Sequence, residues 1–210
     1  MRLILVRHGQ SVGNVEQRIQ GKDDPLTDLG RRQATAAGAF LASRSDITHL
    51  YASPLSRAFE TASIIGEAIR LEPVPLAGFA EIDPGTASGL LWTEWAEQFP
   101  EQAAAIQTAT RSPFEQWAGG ESGQDMADRV FAAWDELVPR HLGSDDVVTL
   151  VSHGGPLAWI AARLHEDPLD VWPTERGGFR NCSVSELEFA ADGTHSIVTW
   201  NDVAHLEGVV

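Results

Sequence analysis

Positive charge is scarce in this sequence. Fifteen Lys+Arg stand against 30 Asp+Glu among 210 residues, a formal net charge of −15. A surface of that sign repels phosphate backbones and anionic headgroups, so neither nucleic acid nor a membrane is an expected partner. Cysteine is scarcer still: Cys182 stands alone, so no intramolecular disulfide can form. Long apolar runs are missing too. Met1 to His8 contains only the four consecutive apolar residues Leu3 to Val6, too few for a secretion signal. A membrane-spanning helix needs about 20 such residues. The expectation is a cytoplasmic protein. What is present is ordinary for a folded chain: 43% hydrophobic and 21% charged residues, at a length that suits one domain.

Short apolar runs alternate with helical periodicity. Leu3 to Val6 and Val147 to Val151 are continuous apolar segments, as strands buried on both faces of a parallel sheet require. Thr48 to Ala52 is a further strand, and Glu72 to Leu76 a third, weakened by Pro73 and Pro75. Residues Asp28 to Ser43 read as a helix with Asp28 as its cap. Ser53-Pro54 reads as another helix start, with Ser at the cap and Pro at the first helical position. Helical pieces are expected at Trp92–Phe99 and Glu101–Thr108. A long amphipathic helix follows Ser122, and one more opens at Gly154. Ser183–Phe189 and Ser196–Trp200 alternate as edge strands do, which makes a homodimer through that edge an expectation. The sum is an α/β three-layer sandwich, a mostly parallel sheet with helices on both faces. One domain spans 1–210, with a short inserted cap at about 78–120. Ligands of such sheets bind beyond the carboxyl ends of the strands.

Two of those ends carry nearly the same group: Arg7-His8-Gly9 after the first strand, and Ser152-His153-Gly154 after the late one. Arg57 follows the second strand. Guanidinium groups offer paired donors to phosphate oxygens. Neutral imidazole attacks phosphorus, and a second imidazole, when protonated, stabilises the charge on the equatorial oxygens. A glycine after each histidine lets the backbone approach a ligand. Either pair alone is also an ordinary surface turn. His49, His141, His165, His195 and His205 show no metal-ligand spacing and read as surface or structural residues. Trp92, Trp95, Trp134 and Trp159 read as packing residues.

Leu5-Val6-Arg7-His8-Gly9-Gln10-Ser11 with Asn14 resembles the opening motif of the histidine phosphatase superfamily, the phosphoglycerate mutase-like proteins. Arg18-Ile19-Gln20-Gly21, Pro25-Leu26-Thr27, Ser53 to Ala58, Gly120-Glu121-Ser122 and Val151 to Gly155 extend the likeness in order over roughly 1–185. The tail loosely resembles small bacterial phosphatases. The resemblance implies His8 as a phosphorylated nucleophile, with Arg7, Arg57 and His153 as its phosphate pocket. It implies substrate contacts from Asn14, Gln20, Gly21 and Gly154. It implies Glu81 as proton donor, four residues before Gly85, with Asp83 as the rival acid. No metal and no other cofactor is needed. One departure stands out: Thr86-Ala87-Ser88-Gly89 replaces the usual Trp and Glu, which is expected to open or reshape the pocket wall.

The implied activity is a metal-independent phosphatase acting on a small phosphorylated metabolite, a sugar phosphate or a phosphoglycerate-type ester. A cofactor-dependent phosphoglycerate mutase is the alternative within enzymes. A non-catalytic phospholigand-binding protein is the alternative outside them, disfavoured because Arg7, His8, Arg57, Glu81 and His153 are all present. Arg176 and Arg180 are either contacts for a second anionic group or plain surface residues. With the cations gathered at one edge of an acidic protein, the substrate is expected to be small enough to fit inside the cluster.

Overall fold

A strand covered on both faces must be apolar at every position, and Leu3 to Val6 are. In the computed structural model they form β1 (Arg2–Arg7), with all four buried. The structure describes residues 1–44, 46–107, 112–173 and 176–209, with the side chains of all of these but 106 and 107. The other strands are β2 (His49–Ala52), β3 (Val74–Pro75), β4 (Val147–Ser152), β5 (Val184–Phe189) and β6 (His195–Asp202). They make one sheet in the order β3-β2-β4-β1-β5-β6. The first four in that order run parallel to one another. β5 pairs antiparallel with β1, and β6 with β5.

Alternation along the strands divides the core in two. Leu3 and Leu5 of β1, with Val148 and Leu150 of β4, pack against α6 (Gly123–His141) and α7 (Gly154–Leu164) through Met126, Val130, Leu157 and Ile160. Ile4 and Val6, with Leu50 and Ala52, pack against α2 (Asp28–Ala42) and α3 (Ser56–Ile69) through Ala34, Leu41, Ala58 and Ile65. Each fully buried aliphatic side chain contributes about 1.5–3 kcal/mol. An exposed ion pair such as Arg31–Glu60 adds at most about 1. The two apolar layers therefore hold the sandwich, as the sequence pattern requires.

Three local readings are corrected. The cap of α2 is Thr27, whose hydroxyl accepts from Gly30 N–H, not Asp28, which is the first helical residue. α3 begins at Ser56 after Leu55, two residues beyond the Ser53-Pro54 signal. Ser53 is fully buried and spends its hydroxyl on a histidine instead. The third strand shrinks to Val74–Pro75, because prolines at 73 and 75 withhold ladder donors. A one-turn helix, α1 (Val12–Glu16), closed by a reciprocal Ser11–Asn14 cap, has too little periodicity to be read from sequence.

Between β3 and α6 the chain leaves the sheet. It makes short 3-10 turns at Ala77–Phe79 and Gly85–Ala87, then α4 (Trp92–Gln98) and α5 (Pro100–Gln107). The expected helix end at Thr108 lies outside the described residues. Ala87, Trp95 and Trp117 form a small apolar cluster of their own with Ile19 from the loop after α1. No helix among the described residues is long and apolar enough to cross a membrane.

Candidate active site

Parallel pairing of β1 with β4 sets Arg7 opposite Ser152, so the histidines that follow both strands emerge side by side. His8 N–H donates to Ser152 O at 2.9 Å, and the two rings lie 5.1 Å apart between centroids. β2 completes the edge: Ser53 N–H donates to Val151 O, and Ser53 Oγ lies 2.7 Å from His153 Nε2. Arg57, in the first turn of α3, is buried, and its Nη1 donates to Gly21 O at 2.8 Å. Arg7 Nη1 donates to Phe179 O.

The tautomer of His8 follows from its partner. Nδ1 lies 2.7 Å from Gly9 O, which can only accept, so Nδ1 carries the proton and Nε2 keeps a free lone pair. Burial, reinforced by Arg7 and Arg57, holds His8 well below the ordinary histidine value. His153 is likewise held well below it, first by burial and then by Arg57, His8 and Arg7. Both rings are thus neutral in the free protein, where His153 offers an N–H rather than a charge. The hydroxyl of Ser53 finds no acceptor among the described residues but His153 Nε2, which leaves the ring proton on Nδ1. Three buried donors around His8 have no partner among the described residues: His153 Nδ1, Arg7 Nε and Arg57 Nε. Donors left unmade inside a protein are costly, and an anion carrying several acceptor oxygens satisfies them together.

Glu81 faces this cluster from the segment after Ala77–Phe79. Its Oε1 accepts from Ile82 N–H at 3.0 Å and its Oε2 from Gly155 N–H at 3.2 Å. A Cβ on Gly155 would stand 2.3 Å from Oε1, so a larger residue there would push the carboxylate out of this position. Arg7 and Arg57 are lowered chiefly by burial, and Glu81 opposes both shifts. Asp83 is turned elsewhere, capping Gly85 N–H at 3.0 Å and reaching Lys22 at 3.8 Å.

A residue unremarked in the sequence fixes the Glu81 segment. Arg129 of α6 donates to the carbonyls of Gly78, Ala80 and Glu81 and to both oxygens of Glu121. Glu121 in turn accepts from Asp83 N–H, and its carboxyl is lowered by Arg129 against the cost of burial. Asn181 was also missed: it donates to His8 O at 3.0 Å and to Asn14 Oδ1 at 3.2 Å. No local pattern marks either residue, since their partners lie far away in the chain.

A cleft of about 430 Å³ gathers Arg7, His8, Gln20, Arg57, Glu81 and Gly154. An adjoining lobe of about 560 Å³ shares Gln20 and Glu81 and adds Gly21 and Ser88. Asn14 stands one step away, in a neighbouring groove with Gln17 and Arg18, its carboxamide oxygen tied to Ser11 and Asn181. Gly9 serves packing rather than ligand approach, because a Cβ there would meet Gly30 O at 2.5 Å. Trp92 packs edge to face on Trp95 and Trp117, as read, but is 42% exposed and also lines the cleft with Trp117 and Trp172. The small residues 86–89 let this region close on its neighbours. Ala87 sits under Trp95 and Trp117, and Ser88 Oγ lies against Gly21. Arg176 is bonded to Asp167, and Arg180 to Asn201 O; neither lines the cleft.

Known proteins resemble this chain in sequence and fold. The family model of the histidine phosphatase superfamily (branch 1) matches residues 3–203. The metal-independent phosphoserine phosphatase of Arabidopsis thaliana is 32% identical over 209 residues, 99% of this chain and 84% of the relative. A probable phosphoglycerate mutase of Salmonella choleraesuis is 32% identical over 212 residues, 99% of this chain and 95% of the relative. A mycobacterial glucosyl-3-phosphoglycerate phosphatase solved with VO3 superposes with a TM-score of 0.82 at 32% identity, over 96% of this chain and 99% of that one. This chain belongs to the histidine phosphatase superfamily.

Proposed function

We propose that the protein is a phosphatase of small phosphate monoesters working through a phosphohistidine on His8. The observation that carries this reading is the ring of unpartnered buried donors, His153 Nδ1, Arg7 Nε and Arg57 Nε, around a neutral histidine. A phosphoryl group placed there meets two fixed positive charges and an imidazole N–H, so the arginines do the neutralising that a metal does elsewhere. Nε2 of His8 attacks phosphorus; the N–P bond forms as the P–O ester bond breaks. Glu81, protonated at that step, hands its proton to the departing alkoxide. Its carboxylate then takes a proton from water, which attacks phosphorus. The N–P bond breaks, and inorganic phosphate and a protonated Glu81 remain.

Gln20, Gly21 and Gly154 supply further substrate contacts, since all three line the cleft or its adjoining lobe. Asn14 acts through Asn181 and His8, by the bonds they share. The region 78–120 is proposed as a cap on a single catalytic unit. Its support is the separate Trp95–Trp117 cluster and the tryptophans it sends to the cleft wall. Relatives acting on phosphoserine and glucosyl-3-phosphoglycerate favour a metabolite with a compact polar body. The lone, buried Cys182 and the acidic surface support a cytoplasmic setting.

The test is turnover of p-nitrophenyl phosphate in the presence of EDTA by the wild type and by His8→Ala. Loss of about 10³ or more in kcat is expected of a covalent nucleophile. Undiminished turnover by His8→Ala removes the mechanism. A phosphoenzyme that persists for minutes in water and transfers only to phosphoglycerate identifies a mutase instead.

A further inference from the structure

Three metal-ligand side chains meet at the amino-terminal end of β2, the opposite edge of the sheet from His8. His49 opens β2, His141 ends α6, and Asp146 immediately precedes β4. One donor atom of each lies within 4.8 Å of the others. His141 Nδ1 is 2.7 Å from Asp146 Oδ2, and His49 Nδ1 is 4.0 Å from Asp146 Oδ1. The histidine rings cross edge to face, 4.5 Å apart. Along the chain these residues have no ligand spacing; the fold alone makes them neighbours.

We propose that His49, His141 and Asp146 bind one divalent transition cation of the zinc type. Two imidazole nitrogens and one carboxylate oxygen suit zinc, with water completing a tetrahedron. Ligand atoms at zinc distances stand roughly 3.3 Å apart in that geometry. The 2.7 Å from His141 Nδ1 to Asp146 Oδ2 and the 4.0 Å from His49 Nδ1 to Asp146 Oδ1 lie on either side of this value, and a turn of the carboxylate presents one oxygen to both histidines. A supporting shell is in place. Tyr51 Oη lies 3.1 Å from His141 Nε2, and both side chains are buried. Once the cation takes Nδ1, the ring proton resides on Nε2 and donates to Tyr51, which fixes ring and tautomer. Thr48 Oγ1 lies 2.9 Å from His49 Nδ1 and 3.2 Å from Val147 O, so its hydroxyl turns to the carbonyl when the metal arrives. Binding displaces the proton that His141 shares with Asp146. The site would clip β2, the end of α6 and the start of β4 together, adding stability without entering the chemistry.

Calorimetric titration of Zn²⁺ tests this, with His8→Ala as control for the catalytic histidines. Wild type and His8→Ala should bind one zinc per chain. His49→Ala and Asp146→Asn should lose at least about tenfold in affinity. Zinc should raise the Tm of the first pair only, and turnover by His49→Ala in EDTA should equal that of the wild type. No binding by the wild type, wild-type affinity in both site variants, or loss confined to His8→Ala overturns the proposal. Cobalt(II) gives a readout that needs no variant: the absorption of a tetrahedral centre supports the site, and the spectrum of hydrated cobalt contradicts it.

Discussion

His8 and His153 are buried beside two arginines, and that placement decides their chemistry before substrate arrives. A nucleophile that stays neutral well below the ordinary value near 6.5 keeps its lone pair in acid. The acid limb of kcat/KM should therefore fall well below pH 6.5, and a limb centred at 6.5 or above would contradict the assigned burial. Stability carries the same signature. The folded values lie below the unfolded ones, so below pH 6.5 the unfolded chain binds the extra protons. Stability is then lost as pH falls from about 6.5 toward the folded values, by up to about 1.4 kcal/mol per pH unit for each histidine. Tm should drop between pH 7 and 5, and by less in His8→Asn. Cys182 is shifted the other way, its thiol pushed up to about 12 by burial, which makes it inert rather than redox-active. His8, Arg7, Arg57 and His153 were legible in the sequence because each follows the end of an apolar run. Their neutrality was not, since it depends on how closely three distant segments pack. The Ser53–His153 bond was hidden for a related reason: Ser53-Pro54 also satisfies a helix-start rule, and tertiary demand for a partner to His153 prevailed.

At the scale of elements, α6 does more than cover the sheet. Its Arg129 holds the carbonyls of Gly78, Ala80 and Glu81 and the Glu121 carboxylate. Removing it frees the acid to wander by an ångström or so, which costs roughly 10²-fold in rate. Arg129→Ala should lower kcat by that order while changing KM little. A pure KM effect would make Arg129 a substrate ligand rather than a positioning residue. β1 and β4 were readable as unbroken apolar runs, and α6 by its amphipathic period, because pattern and burial agree. The short elements were not. α1 has five residues and β3 two, and caps and strand pairing define them more than composition does. Trp92 packs on Trp95 and Trp117, as its place in a helix suggests, but its second role in the cleft wall was not legible, since only the turn of α4 brings it there.

For the molecule as a whole, a net charge of −15 surrounds a pocket lined by the permanent cations Arg7, Arg18 and Arg57. The long-range field repels an anionic substrate, and the local one holds it. Salt screens the first far more than the second, because the pocket is buried. kcat/KM for a dianionic ester should therefore hold steady or rise between low and moderate ionic strength; a steep fall would indicate cationic steering that the charge distribution does not provide. The same contrast favours small substrates, whose charge lies wholly within the pocket. All of this rests on covalent transfer to His8. Acid-labile, base-stable phosphate can be trapped by mixing the protein with labelled phosphomonoester, quenching in base within milliseconds and mapping the peptides. The account predicts label on His8, formed without added metal, absent in His8→Ala and discharged to inorganic phosphate at the rate of turnover. Turnover with no label on His8, or label on another residue, would contradict it.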